Sequence, residues 1–139
     1  MSTPIQRQSG FTLIELMIAV AILAIVMGIA IPSYNQWVIE SGRADGKAQL
    51  FQVAQQLERC FTRYSSYDDA ACGIQDGASV ASDKGKYIVA VDTTATTFTL
   101  TAAPQGGQAN DDECQSLTLT HTGQRGLDGG ATGTIDDCW

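Results

Sequence analysis

From Leu16 to Ile31 the chain runs sixteen positions without a charged or polar side chain, and Pro32 closes the run. At the α-helical rise, Phe11–Ile31 covers about 31 Å, roughly the hydrocarbon thickness of a bilayer, so the first element predicted is a membrane-spanning helix. One carboxylate, Glu15, stands near the amino-terminal end of this run. A charge at mid-bilayer costs roughly 2.5–3.5 kcal/mol on insertion scales, less near an interface, so Glu15 needs a partner. Gly28 and Pro32 are four apart, the spacing of one helical hydrogen bond. Pro32 has no N–H to give the Gly28 carbonyl and crowds it, and glycine loosens the same turn, which predicts a soft point there. Tyr34, Trp37 and Val38 follow as an interfacial aromatic belt. The two glycines of Ser41–Gly46 predict a bend between two halves of one long helix.

Beyond Lys47, Ala48, Phe51, Ala54, Leu57, Phe61 and Tyr64 recur every three or four residues, with Leu50 and Val53 widening the stripe. This is the pattern of an amphipathic helix ending near Tyr64. Residues 65–85, rich in Ser, Asp, Ala and Gly, read as an irregular connection. Strands are expected over Lys86–Asp92 and Thr97–Ala102, joined by a hairpin loop at Thr93–Thr96, and over Gln115–Thr122. The glycine-rich stretch Gly123–Trp139 reads as a surface loop returning to the sheet. The fold class expected is α+β, a long amino-terminal helix packed on a three- or four-stranded antiparallel sheet. The organisation expected is a leader at 1–10, an apolar helix at 11–40 and a head at 41–139. Within the head lie the helix end 41–64, the connection 65–85, the sheet 86–122 and the tail 123–139.

Composition narrows the chemistry. Fifteen acidic residues against eight basic give a net charge of −7 with a single histidine. Such a chain is a poor electrostatic match for a phosphate backbone, and no direct nucleic-acid binding is expected. Arg7 precedes the apolar run and no acid does, which orients the amino-terminal side to the cytoplasm and the acidic remainder away from it. Four cysteines, all beyond the apolar run, fit an oxidising compartment and allow three pairings. His121 stands alone in a strand, and no Ser-His-Asp grouping, P-loop or zinc-ligand spacing is present, so no enzyme, catalytic residue or cofactor is expected. The runs Asp111–Glu113 and Asp136–Asp137 have the chemistry to hold Ca²⁺, but they read as solvated loop charges and no metal is expected.

The stretch Gly10-Phe11-Thr12-Leu13-Ile14-Glu15 resembles the prepilin motif of type IV pilins and related pseudopilins. The resemblance implies cleavage between Gly10 and Phe11 by a dedicated prepilin peptidase and N-methylation of Phe11. It also implies that Glu15 pairs with the amino terminus of a neighbouring subunit, and that the helix melts locally near Gly28–Pro32 in the filament. Charge logic agrees with it, because the new ammonium at Phe11 lies at i−4 to Glu15 on one helical face. The carboxy-terminal half, with Phe98–Ala102, Cys114, Leu117–Leu119, Gly123, Arg125-Gly126 and Asp137-Cys138-Trp139, is similar to minor pilins of the PilE type. These share the last cysteine pair. The pairing favoured is Cys60–Cys72, closing the 65–85 connection onto the helix end, with Cys114–Cys138, tying the tail to the start of the third strand.

The expected function is that of a structural subunit in or at the tip of a type IV pilus, supporting pilus biogenesis, twitching motility and adhesion. Its expected partners are other pilin and minor pilin subunits, prepilin peptidase, the inner-membrane assembly platform, and the lipid bilayer before assembly. Its expected location is the inner membrane with a periplasmic head, then the extracellular pilus. A type II secretion pseudopilin, a major pilin and a tip-located receptor-binding adhesin are the alternatives.

Overall fold

The computed structural model describes residues 10–139. The predicted leader lies outside them apart from Gly10. The chain divides into two compact units, Met1–Gln36 and Trp37–Trp139. In the first, the helix α1 (Leu13–Tyr64) begins and continues through Pro32. Every large apolar side chain from Leu13 to Ile31 is more than half exposed. Among the described residues this is the one helix long and apolar enough to cross a membrane.

The second unit sets the remainder of α1 against a sheet. Its strands are β1 (Ser79–Ala81), β2 (Tyr87–Thr93), β3 (Phe98–Pro104), β4 (Ser116–Thr120) and β5 (Arg125–Asp128), and a short helix α2 (Ile135–Cys138) follows. The order is β1-β2-β3-β4-β5, with every neighbouring pair antiparallel, so the sheet is a five-stranded meander rather than one of three or four. The two additional strands are its edges. β1 falls in the stretch read as an irregular connection, and β5, with α2, in the tail read as a loop. Neither is long enough to show alternation; each is held by its inner neighbour, through Val80 opposite Val89 and Leu127 opposite Leu117.

The core lies between helix and sheet. Tyr87, Val89 and Val91 of β2, Phe98, Leu100 and Ala102 of β3, and Leu117 and Leu119 of β4 pack with Leu50, Val53 and Leu57 of α1. On the helix, the buried stripe is turned by about one residue from the one read from sequence. Gly46, Gln49, Leu50, Val53, Leu57 and Cys60 are buried, whereas Ala48, Phe51 and Tyr64 are exposed. The phase was masked because small and polar residues, which carry no hydropathy signal, occupy the upper part of the buried face.

The glycines read as a bend serve that face instead. α1 continues through Ser41–Gly46, and Gly46 seats the Tyr87 ring: a Cβ placed on it would lie 2.8 Å from Tyr87 Cγ. Gly42 gives the same room to the Gln108 side chain. Alanine at Gly46 gains about 1 kcal/mol of helix propensity, but overpacking a ring whose position the core fixes costs typically 1–3 kcal/mol. Gly46→Ala is therefore expected to melt below the wild type in a thermal unfolding scan, and an increase in melting temperature would contradict this packing account.

Next to Gly46, Asp45 fastens the turn between β1 and β2 to the helix. Its carboxylate accepts hydrogen bonds from Ser82 Oγ (2.5 Å) and from the backbone N–H of Lys84 (3.2 Å) and Lys86 (3.3 Å). Disulfides join Cys60 to Cys72 and Cys114 to Cys138, each with Cα atoms 5.6 Å apart. Loops of this size restrict the unfolded chain by about 3–3.5 kcal/mol each on the chain-entropy model.

Candidate assembly site and the ion-paired head

The motif residues sit where α1 starts. Thr12 Oγ1 accepts from the Glu15 N–H (3.3 Å), while Glu15 Oε2 accepts from the Thr12 N–H (2.9 Å) and from the Thr12 hydroxyl (2.8 Å). This is a capping box, with threonine at the helix boundary and glutamate three residues on satisfying each other's free donors. The sequence alone offers Glu15 a partner in the amine at Phe11, of its own chain or of a neighbour. In the uncut chain that amine is a peptide bond to Gly10, and Thr12 holds the carboxylate in its place. Both hydrogen bonds fall on Oε2, so among the described residues Oε1 is left to accept from elsewhere. Phe11 is 85% exposed. Nothing packs near Gly28, where an added Cβ would meet open space.

In the head, the residues that organise the tail were not singled out as a group. Arg43 on α1 reaches Asp111 with two parallel hydrogen bonds, Nε to Oδ2 at 2.8 Å and one Nη2 contact to Oδ1 at 2.9 Å. The same Nη2 donates to Glu113 Oε2 at 2.6 Å. The Arg43 and Asp111 side chains are 7% and 1% exposed. Gln108 completes the cluster, its Nε2 donating to the Ile39 carbonyl (2.9 Å), the Tyr87 hydroxyl (3.2 Å) and Asp111 Oδ2 (3.4 Å). Bonding to Asp111 raises the guanidinium pKa further above its already high ordinary value, against the opposing effect of burial. Asp111 and Glu113, which were weighed as cation ligands, are thus occupied by an arginine, and the neighbouring Cys114 sulfur is tied to Cys138. Asp137 turns to its own helix, its Oδ2 accepting from Thr134 Oγ1 at 2.6 Å. Lys47 donates to the Trp139 carbonyl oxygen at 3.2 Å, and its pKa is pushed down by burial and by the Arg43 and Arg125 charges. Arg125 lies over two rings, 5.8 Å from the centre of Phe51 and 5.4 Å from that of Trp139.

Two phenols carry a consequence for pH. Burial pushes Tyr87 up to about 12, with Asp111 and Asp45 adding to it and the Gln108 hydrogen bond opposing. Burial likewise pushes Tyr67 up to about 12, helped by its hydrogen bond to Glu58 Oε1 at 2.9 Å. An unfolded tyrosine titrates near 10, so below about pH 10 both states keep the proton and stability is intact. Above it the unfolded chain releases protons first, and stability is lost as pH rises toward about 12. Denaturant midpoints are expected to fall across that window, and Tyr67→Phe should make the fall shallower. A midpoint independent of pH up to 12 would contradict the burial of both phenols.

A long helix with an uncovered apolar half, capped at a glycine-phenylalanine motif and joined to a disulfide-closed antiparallel head, defines a pilin. Residues 32–118 match the family described as "Type IV minor pilin ComP, DNA uptake sequence receptor", and residues 5–31 match the "Prokaryotic N-terminal methylation motif". Fimbrial protein EcpC of Eikenella corrodens is 34% identical over 130 residues, 87% of this chain and 79% of that protein. A fimbrial protein of Dichelobacter nodosus is 38% identical over 87 residues, 60% of this chain and 51% of that protein, so the chain spans about half the length of that relative. A solved structure of a type IV pilin from Shewanella oneidensis is similar with a TM-score of 0.51 and 28% identity, covering 73% of this chain and 97% of that one. The chain belongs to the type IV pilin family, among its minor pilins.

Proposed function

We propose that this chain is a structural subunit of a type IV pilus. Prepilin peptidase cuts between Gly10 and Phe11, Phe11 is N-methylated, and the bilayer holds the apolar half of α1 with the head on the periplasmic side. The assembly platform then transfers the helix from lipid to a filament of other pilin subunits, which supports pilus biogenesis, twitching motility and adhesion. Supporting this is the uncovered apolar helix that starts at the motif, where Glu15 keeps one oxygen for a neighbour's ammonium. In the filament, Gly28–Pro32 is the turn that gives way. Mass spectrometry of the native protein tests the first step: an amino terminus at N-methylated Phe11 is expected, and a chain still beginning at Met1 would overturn the reading.

A second reading, contact with DNA, is favoured by the description of the family that residues 32–118 match. The net charge of −7 opposes it, although Lys47–Tyr64 alone holds three bases and one acid. Fluorescence anisotropy of labelled duplex DNA with the full chain in detergent decides it. A receptor role requires binding that weakens with rising salt, and no binding at low salt would exclude it.

A further inference from the structure

We infer that the turn between β1 and β2 is a lipid headgroup site, through which Lys84 and Lys86 rest the head on anionic phospholipids before assembly. The inference rests on the membrane-anchored reading above and adds a lipid class to it. Charge in the head is segregated. Residues 65–139 hold eleven acids, yet residues 84–110 hold Lys84, Lys86 and a single acid, Asp92. Asp92 is six residues on from Lys86, at the far end of β2, roughly 20 Å away at the strand rise. Asp111 and Glu113, which follow that stretch, are paired with Arg43.

The same end of the head carries the residues expected at a membrane interface. Lys86 Nζ donates to the Val38 carbonyl at 3.3 Å, and Val38 belongs with Trp37 to the aromatic belt read from the sequence. Trp37 opens the head unit and is 61% exposed. Gln108 Nε2 donates to the next carbonyl, that of Ile39, and the Gln105 N–H to the Lys86 carbonyl (2.8 Å). The uncharged stretch 104–110 therefore completes this end.

The lysines are held in place rather than trailing. Asp45 fixes the backbone N–H of both, so their side chains are the groups left to bind. Lys84 is exposed, and among the described residues no ion pair holds either lysine. An ammonium has three donors; Lys86 gives one to Val38 and keeps two for a phosphate. Two exposed acids, Asp83 in the turn and Glu40 on α1, share this end. They leave room for single headgroup phosphates and oppose a polyanion such as DNA spread over the surface. A lysine close to an anionic leaflet contributes about fivefold in affinity.

The test is native mass spectrometry of the full chain drawn from nanodiscs of equimolar phosphatidylglycerol and phosphatidylcholine. A chain of net charge −7 without such a site disfavours the anionic lipid, so a preference for it is diagnostic. The wild type is expected to retain phosphatidylglycerol over phosphatidylcholine by about tenfold or more. Lys84→Gln, which breaks no hydrogen bond given above, should lower the ratio about fivefold at an unchanged melting temperature. Lys84→Gln with Lys86→Gln should bring it near one, and Lys84→Arg with Lys86→Arg should keep it. No preference in the wild type, or a preference that survives the double glutamine variant, overturns the site. Displacement of the bound lipid by millimolar inorganic phosphate overturns the lipid occupant in favour of free phosphate. DNA binding lost by the double glutamine variant at an unchanged lipid ratio overturns it in favour of DNA. Failure of the wild type to enter nanodiscs overturns the membrane-anchored reading as well, whereas entry without preference overturns this inference alone.

Discussion

Glu15→Ala is expected to enter the membrane as well as the wild type and to be missing from sheared filaments. Insertion is driven by the apolar side chains of Leu13–Ile31, the large ones each worth about 1.5–3 kcal/mol on burial, and removing a carboxylate does not weaken it. Assembly is a different matter. On the proposed assembly, the ammonium at Phe11 is shut away from water between packed helices, and breaking a buried ion pair from one side costs about 3–5 kcal/mol, more than a hundredfold in an equilibrium. Glu15→Asp keeps the charge on a shorter arm and should be partly incorporated. Thr12→Val separates cap from pair, because it removes the hydroxyl that holds Oε2 but leaves the carboxylate, and should reduce incorporation less than Glu15→Ala. Wild-type levels of the alanine variant in filaments would end the assignment of Glu15 to assembly.

The second large effect is expected in the head. Arg43→Ala leaves Asp111, whose side chain is 1% exposed, without its cation and beside Glu113. The cost of a stranded buried charge is about 3–5 kcal/mol, a large share of the 5–15 kcal/mol typical of a whole domain. At roughly 4–8 °C per kcal/mol for a domain of this size, the melting temperature should fall by more than about 12 °C. Arg43→Met combined with Asp111→Leu removes both charges and should recover most of the loss, since a buried pair replaced by apolar groups is often near neutral. If Arg43→Ala melts with the wild type, the cluster is not what fastens the tail to α1.

What could be read before the structure was what repeats. The apolar run, its lone carboxylate and the end of α1 at Tyr64 are long or singular features. Tyr87, Val89 and Val91, like Phe98, Leu100 and Ala102, alternate cleanly because one face of the sheet is buried. What escaped was what depends on partners distant in sequence. Arg43 and Asp111 are 68 residues apart, and no local pattern marks the pair. Gly46 looked like a hinge because the ring it accommodates is on another element. β1 and β5 are short edge strands whose conformation their inner neighbours impose. Thr12 was the nearest miss: the threonine-to-glutamate spacing of a capping box is in plain view, but it lies inside a longer motif whose resemblance implies an intermolecular partner for the carboxylate.

The order of the sheet also governs how the head is made. Each strand pairs with the strand that precedes or follows it in the chain, so the sheet can zip up hairpin by hairpin, a low-contact-order route that favours rapid folding. Only the docking of α1 and the joining of Cys114 to Cys138 wait for distant parts to meet. The last crosslink therefore closes on a sheet already in register, and oxidation seals the topology rather than searching for it.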